Sequence, residues 1–457
     1  MVDEKLYSWD AHSDQPHVIR NKAAKRKLYL RGAIGSLKTL LTGLALPLVA
    51  VPLAWPLAWT RRKPGPHTIN GLGLCVNPDN PLPEKRPVSD SELQELVQDL
   101  AVNHLLIRLP LAEIENLDRY IDFIHQFSNK EIVVNILQDR RHIDSPAMLR
   151  DSLEKIFAGL QQRVKYFQIG NAVNRRKWAF VSLDEYLDFF ATAQQLRDAH
   201  YPQLKLAGGC IIDFELPNFA RSVLHGKAIR YDATAALLYV DRRGAPENRQ
   251  FGCDLLAKIN WFYQLVKISG KSGQRLWITE TNWPLQGTEP FAPAVGDCMV
   301  DEQQQAAYLA RYFLLAMASG KVEKCFWHQL VAPGYGLIDN RGDTLRKRDA
   351  YFAFKTLLQM FDGATLTHFS QSSTGVYCVR AHNTYGHVAA YWCNGKREQV
   401  DASGMRYSIN LTGKHCQRLA SQQAQACDGV LYLLDYEPQG FGEQQGFREA
   451  AGFSDAQ

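Results

Sequence analysis

The sequence predicts a (β/α)8 TIM barrel, followed by a small antiparallel β-domain and preceded by an N-terminal membrane segment. Between residues 66 and 363, eight short apolar runs alternate with amphipathic helical stripes, the pattern of parallel strands buried on both faces. Beyond Gly363 the runs become short and alternating, as in a β-sandwich-like accessory domain over 364–437. Thr39–Trp59 adds 21 residues without a charge, enough as a helix to span a hydrocarbon core of about 30 Å. With 457 residues, 46% of them hydrophobic, the chain can fill a large core.

Residues 1–38 are polar and turn basic towards Lys38, and Arg61-Arg62-Lys63 closes the apolar run, with Trp55 and Trp59 as interfacial anchors. Pro47, Pro52 and Pro56 leave a kinked span or a monotopic insertion open beside a straight helix. The run has no evident packing partner in the sequence, so the barrel is expected to fold without residues 1–63. The strand candidates are Ile69–Val76, His104–Pro110, Glu131–Leu137, Val164–Gly170, Leu204–Ile212, Ala233–Val240, Leu276–Ile278 and Lys324–Leu330. Ser89 with Glu92 and Ser182 with Glu185 form capping boxes, and Ser145-Pro146 opens a third helix. Further helices are expected near 218–225, 255–268, 302–318 and 349–361, and short strands at Val376–His382, His387–Cys393, Tyr407–Leu411 and Val430–Leu434. The tail at 438–457 is Gly/Gln-rich and expected to be mobile.

Composition narrows the function. A net charge of +5 is too mild to imply nucleic acid. No zinc-type spacing, Walker loop or dinucleotide fingerprint is present, so neither metal nor cofactor is expected. The nine cysteines are scattered and read as small buried hydrophobes, with Cys416 and Cys427 the one pair placed for a bridge.

Polar residues stand where apolar runs end. Arg108 lies near the end of the second strand, Asn171 after the fourth and Tyr239 at the end of the sixth. Glu280 follows the seventh, between Thr279 and Thr281. Trp327 and His328 lie on the eighth, with Trp178 and Trp283 in neighbouring loops. A buried carboxylate needs charged or hydrogen-bonding company, so Glu280 is expected within reach of Arg108 or Tyr239.

Gly170-Asn171-Ala172-Val173-Asn174 and Thr279-Glu280, together with Arg108, Tyr239 and Trp327, resemble the clan A glycoside hydrolases over Ile69–Phe361. The nearest likeness is to family 39-like glycosidases of bacterial envelope and exopolysaccharide systems. The resemblance implies a membrane-anchored retaining glycoside hydrolase acting on a bacterial surface or secreted polysaccharide. Glu280 would be the nucleophile, Asn171 would meet the sugar 2-hydroxyl, and Trp327 would stack on the ring. Arg108, Tyr239, Trp283, Trp178 and His328 would complete the substrate contacts.

One position departs from the family pattern. The residue after Asn171 should be the acid/base Glu, and it is Ala172. A deliberate substitution, a natural loss and an acid supplied from elsewhere all fit; retention of every other motif position favours the first. Glu215 and Glu289 are the nearest replacements. Basic residues after strands three, four and six (Arg140, Arg141 and His142; Arg175, Arg176 and Lys177; Arg242, Arg243 and Arg249) favour an anionic glycan if they converge. Localisation is expected at the bacterial inner membrane. The excess of Lys and Arg before the apolar run favours a large domain across the membrane, while the many thiols argue for the reducing side, so the sequence leaves the side open.

Overall fold

The computed structural model describes residues 9–10, 12, 15–16, 22–59, 65–241, 244–294 and 296–441; for 47–59 only the backbone is described. A short antiparallel pair, Trp9–Asp10 with Gln15–Pro16, is followed by two helices, α1 (Lys22–Arg31) and α2 (Ala33–Trp59). Eight parallel strands then close a barrel in sequential order. They are β1 (Leu72–Cys75), β2 (His104–Pro110), β3 (Glu131–Leu137), β4 (Tyr166–Ile169), β5 (Lys205–Ile212), β6 (Ala233–Leu237), β7 (Leu276–Thr281) and β8 (Val322–Trp327). The connecting helices are α3 (Asp90–Leu100), α4 (Leu117–His125), α5 (Pro146–Leu160), α6 (Leu183–His200), α7 (Leu216–Val223), α8 (Leu255–Ser269), α9 (Glu302–Ala318) and α10 (Asp349–Phe361).

Local chemistry explains these elements. Ser89 and Glu92 satisfy each other's backbone at the start of α3. Ser145 caps α5 ahead of Pro146. At α6 only half of the expected box forms: Ser182 accepts from the Glu185 N–H, while the Glu185 carboxylate turns to Arg140 and the Val181 N–H. Inside the barrel, Cys75, Leu106, Val133, Tyr166, Ala207, Ala233, Trp277 and Phe326 fill one cluster. Gly73 admits the Phe326 ring, since a Cβ there would lie 2.4 Å from it.

The C-terminal unit is a seven-stranded antiparallel sheet. Its strands are β9 (Thr365–Gln371), β10 (Val376–His382), β11 (His387–Cys393), β12 (Tyr407–Ile409), β13 (Cys416–Arg418) and β14 (Leu431–Leu434), with His67–Thr68 on the β9 edge. Alternation along β10 and β11 divides the sheet's two faces. Val379, Ala381, Val388, Ala390 and Trp392 join the barrel core. Cys378, Ala389, Tyr391 and Cys393 pack under the pair Glu398–Asp401 and Gln423–Ala426. All nine cysteines are free, Cys416 and Cys427 among them, and five are buried.

The N-terminal region departs from expectation. Among the described residues no helix is long and apolar enough to cross a membrane. The second half of the apolar run, Arg61–Lys63 and the tail from 442 lie outside the described side chains. The first half of α2 does have a packing partner, the barrel itself. A Cβ on Gly32, Gly35 or Gly43 would strike Val181, Ser182 or Pro217, and Leu46 packs against the main core. Arg31 pairs with Asp144 at 3.1 Å and Lys38 with Asp184 at 2.9 Å.

Candidate active site

The ends of five strands converge on one carboxylate. Glu280 is the fifth residue of β7, where pairing with β8 slips between Ile278 and Thr281; such irregularities re-aim side chains at functional ends of sheets. The Tyr239 hydroxyl donates to Glu280 Oε1 at 2.5 Å, and Asn171 Nδ2 donates to Oε2 at 3.3 Å. Asn171 is itself fixed on every side. Asn135 Nδ2 and Gln168 Nε2 donate to its Oδ1 at 3.0 and 3.4 Å. Gln138 accepts from its backbone N–H at 2.9 Å and donates to its carbonyl at 2.8 Å. Asn135, Gln138 and Gln168 were not singled out from the sequence. Their signal was there: Asn135 and Gln168 each interrupt an otherwise apolar strand.

Arg108 completes the electrostatics. Its Nη1 donates to His328 Nε2 at 3.3 Å, and its guanidinium lies 5.3 Å from the centre of the Trp178 ring. Because a guanidinium can only donate, His328 Nε2 is an acceptor and the ring proton sits on Nδ1. Burial, with Arg108 adding to it, pushes His328 down to about 4, against the pull of Glu280. Burial alone would raise the Glu280 carboxyl. Positive charge from His328 and Arg108, with bonds from Tyr239 and Asn171, outweighs it and holds the group below the usual carboxylate range. At neutral pH His328 is uncharged, so Arg108 is the cation that matters there. Glu280 is therefore ionised, buried and fixed in direction.

The low value for His328 has a testable consequence. The unfolded chain binds this proton near the ordinary 6.5 and the folded chain only near 4. Stability is therefore full above about pH 6.5 and declines as pH falls towards 4, by about 2–3 kcal/mol at pH 4.5. Urea unfolding at pH 7.5 and 4.5 should show this loss, and His328→Gln should remove that part of it.

Two cavities flank the cluster. One of about 330 Å³ lies beyond Tyr239, lined by Arg175, Asp213, Glu215 and Asp241. The other, about 110 Å³, lies over Arg108 beside Asn77, Gln329 and Tyr335, with His12 of the N-terminal segment in its wall.

Several expected site residues take other places. Trp283 is fully buried, stacked 6.1 Å from Trp327 with its indole N–H on the Gly244 carbonyl at 3.0 Å. It supports the mouth from behind and does not face a ligand. Trp327 is also fully buried and presents no open face for a sugar ring. Ala172 is enclosed in the core with a left-handed φ of 46°. Glu289 is exposed in the long loop after β7. Glu215 accepts from Asn174 at 2.7 Å, from Asn218 at 2.5 Å and from Arg175, which ties the loop after β4 to that after β5.

The basic loop residues do not converge. Arg140 is buried against Asp144, Glu185 and the Ala179 carbonyl. Arg141 and His142 meet Asp139, Arg175 meets Asp213 and Glu215, and Arg176 lies 4.3 Å from the centre of the Tyr29 ring. Arg242 and Arg243 lie outside the described residues. Among the described residues, five of the basic side chains are thus engaged by groups of the chain itself, which weakens the argument for an anionic glycan.

A closed parallel barrel with an ionised glutamate at the end of β7, held by Asn171 after β4, defines a glycosidase-like barrel. Comparison with solved structures gives the same class. The chain is similar to a glycoside hydrolase family 30 subfamily 8 xylanase from Clostridium acetobutylicum, at 12% identity and a TM-score of 0.54, covering 81% of this chain and 96% of that one. It is equally similar to a family 39 β-xylosidase from Caulobacter crescentus, at 12% and 0.54, covering 82% and 97%. A family 51 α-L-arabinofuranosidase from Bifidobacterium longum follows at 12% and 0.53, covering 80% and 97%. No family model and no curated protein matches the chain. At such identities the likeness establishes the fold, which is that of the clan A glycoside hydrolases.

Proposed function

We propose that the chain is a retaining-type glycoside hydrolase, held at the bacterial inner membrane by its N-terminal apolar segment and acting on a surface or secreted polysaccharide. Its acid/base position is occupied by Ala172. The observation that carries this reading is the ionised Glu280, aimed by Tyr239 and Asn171. A retaining enzyme uses two carboxylates about 5–5.5 Å apart, one attacking the anomeric carbon and one protonating the departing oxygen. Here the attacking group is present. Glu280 forms the bond to the anomeric carbon as the leaving oxygen departs with the bonding pair. Asn171 Nδ2 stays within reach of the carboxylate and of a sugar 2-hydroxyl beside it. Without a carboxyl at 172 the leaving oxygen must be stable as an anion, and no base activates water for release. General acid–base assistance of this kind is worth about 10²–10⁴-fold.

The test follows from that asymmetry. Dinitrophenyl glycosides should yield a glycosyl-enzyme that accumulates, and azide should release it as a glycosyl azide of retained configuration. Ala172→Glu should turn the product to free sugar. A second reading, a catalytically silent barrel that binds or scaffolds an envelope glycan, is favoured by the enclosure of Ala172 in the core. Sugars that bind measurably yet give neither azide product nor Ala172→Glu hydrolysis would establish it in place of the first.

A further inference from the structure

The docked face of α2 carries Gly35, Gly43 and, further on, Leu46, while its opposite face carries large exposed apolar residues. Leu30 at the end of α1, and Ile34, Leu37, Leu40, Leu41 and Leu44 on α2, are each more than half exposed. They recur every three or four residues and form one stripe along the helix. Arg26 and Lys27 stand exposed on α1, just before the stripe begins. The stripe continues in sequence into the uncharged run ending at Trp59, which Arg61-Arg62-Lys63 follows.

Where α2 sits on the barrel decides what this face can do. Arg31 meets Asp144, after β3. Gly32 and Gly35 meet Val181 and Ser182 at the N-terminal end of α6. Lys38 meets Asp184 in its first turn, and Gly43 meets Pro217 in the first turn of α7. In a (β/α)8 barrel, strand C-terminal ends and helix N-terminal ends share one face, so α2 runs along the rim of the mouth that holds Glu280.

We infer that the leucine stripe seats the barrel on an anionic lipid bilayer with the mouth's edge at the headgroups, and that the substrate is a saccharide carried on a lipid. Apolar side chains on an interfacial helix enter the acyl boundary while flanking Lys and Arg hold anionic headgroups. A headgroup sugar then reaches Glu280 without leaving the surface. The choice of substrate rests on the glycosidase reading; the seating does not.

Hydrogen exchange of the full chain, with and without phosphatidylethanolamine/phosphatidylglycerol vesicles, tests the seating. Vesicles should slow exchange at least ~10-fold in 23–46 and in the rim segments 140–145, 176–182 and 213–217. The turns on the opposite face, 161–165, 201–204 and 270–275, should exchange as in solution. The variant Leu37→Ser/Leu41→Ser/Leu44→Ser should lose the rim protection. Protection confined to 47–63, absence of vesicle binding, or dimers that form without lipid and dissociate in this variant would each overturn the seating. A vesicle-inserted dinitrophenyl glycoside carrying an alkyl tail on its aryl ring should label Glu280 at least ~10-fold faster than the tail-free soluble dinitrophenyl glycoside of the same sugar, because the surface concentrates it. Equal labelling would overturn the lipid-carried substrate, and rim protection with no labelling by either glycoside would overturn the glycosidase reading alone.

Discussion

Glu280→Gln should abolish burst release of dinitrophenolate from activated glycosides, a loss of at least ~10⁴-fold, while leaving sugar binding within a few-fold of the parent. The amide keeps the shape and its oxygen can still accept from Tyr239; its NH2 cannot accept from Asn171 Nδ2, so only that longer bond, 3.3 Å, is lost and the mouth stays folded. What disappears is the negative charge that attacks the anomeric carbon and stabilises the cationic transition state. The position of Arg108 sharpens the expectation. With Glu280 neutral, the guanidinium beside it and beside His328 loses its counter-charge, so the variant should favour anionic over neutral ligands. Stopped-flow release and calorimetric binding, on a panel of dinitrophenyl sugars, separate the two effects.

The second large effect concerns the join between barrel and C-terminal sheet. Glu247, in the loop after β6, accepts from Arg311 of α9 through both oxygens, at 3.0 Å from Nε and also from Nη2. Trp392 of β11 donates its indole N–H to the same carboxylate at 2.7 Å. The Arg311 side chain has no exposed surface and that of Glu247 only 5%. Removing Glu247 leaves the buried Arg311 with the more distant and exposed Asp428, at 3.6 Å, as counter-charge, a loss at or below the ~3–5 kcal/mol of a fully broken buried pair. Glu247→Ala should therefore lower the urea midpoint by that order, and Glu247→Leu/Arg311→Met should recover much of the loss. Equal destabilisation by the single and double variants would show that packing, and not the charge pair, holds the join.

Much of this architecture was legible because parallel strands in a covered barrel are apolar on both faces. β2 and β3 fall on their sequence-derived bounds, as do α9 and α10. Arg108, Asn171, Tyr239 and Glu280 were legible as a group because each stands at the end of a different apolar run. Their supports were harder: Gln138 acts through bonds to the Asn171 backbone, which no spacing reveals. Two errors have one physical cause. An aromatic at a strand end reads equally as a sugar platform or as packing, and Trp327 and Trp283 chose packing, ring against ring. The basic loops misled because their charge is met within the chain, by the neighbouring Asp139 and Asp144 and by the distant Glu185, Asp213 and Glu215. Docking of α2 was hidden by Leu37, Leu40, Leu41 and Leu44, which face outward, while contacts are made by Gly32 just before the helix and by Gly35, Gly43 and Leu46 on it. His67–Thr68, a two-residue edge strand, was too short to stand out before the barrel began.

Glu280 as the attacking group is tested most directly by mass mapping after incubation with dinitrophenyl 2-deoxy-2-fluoro glycosides, whose fluorine slows breakdown of any glycosyl-enzyme. The account predicts one added sugar on the peptide carrying Leu276–Thr281, at Glu280, and none in Glu280→Gln. An adduct on Glu215 or another carboxylate, or an unmodified chain with glycosides that demonstrably occupy the mouth, would contradict it.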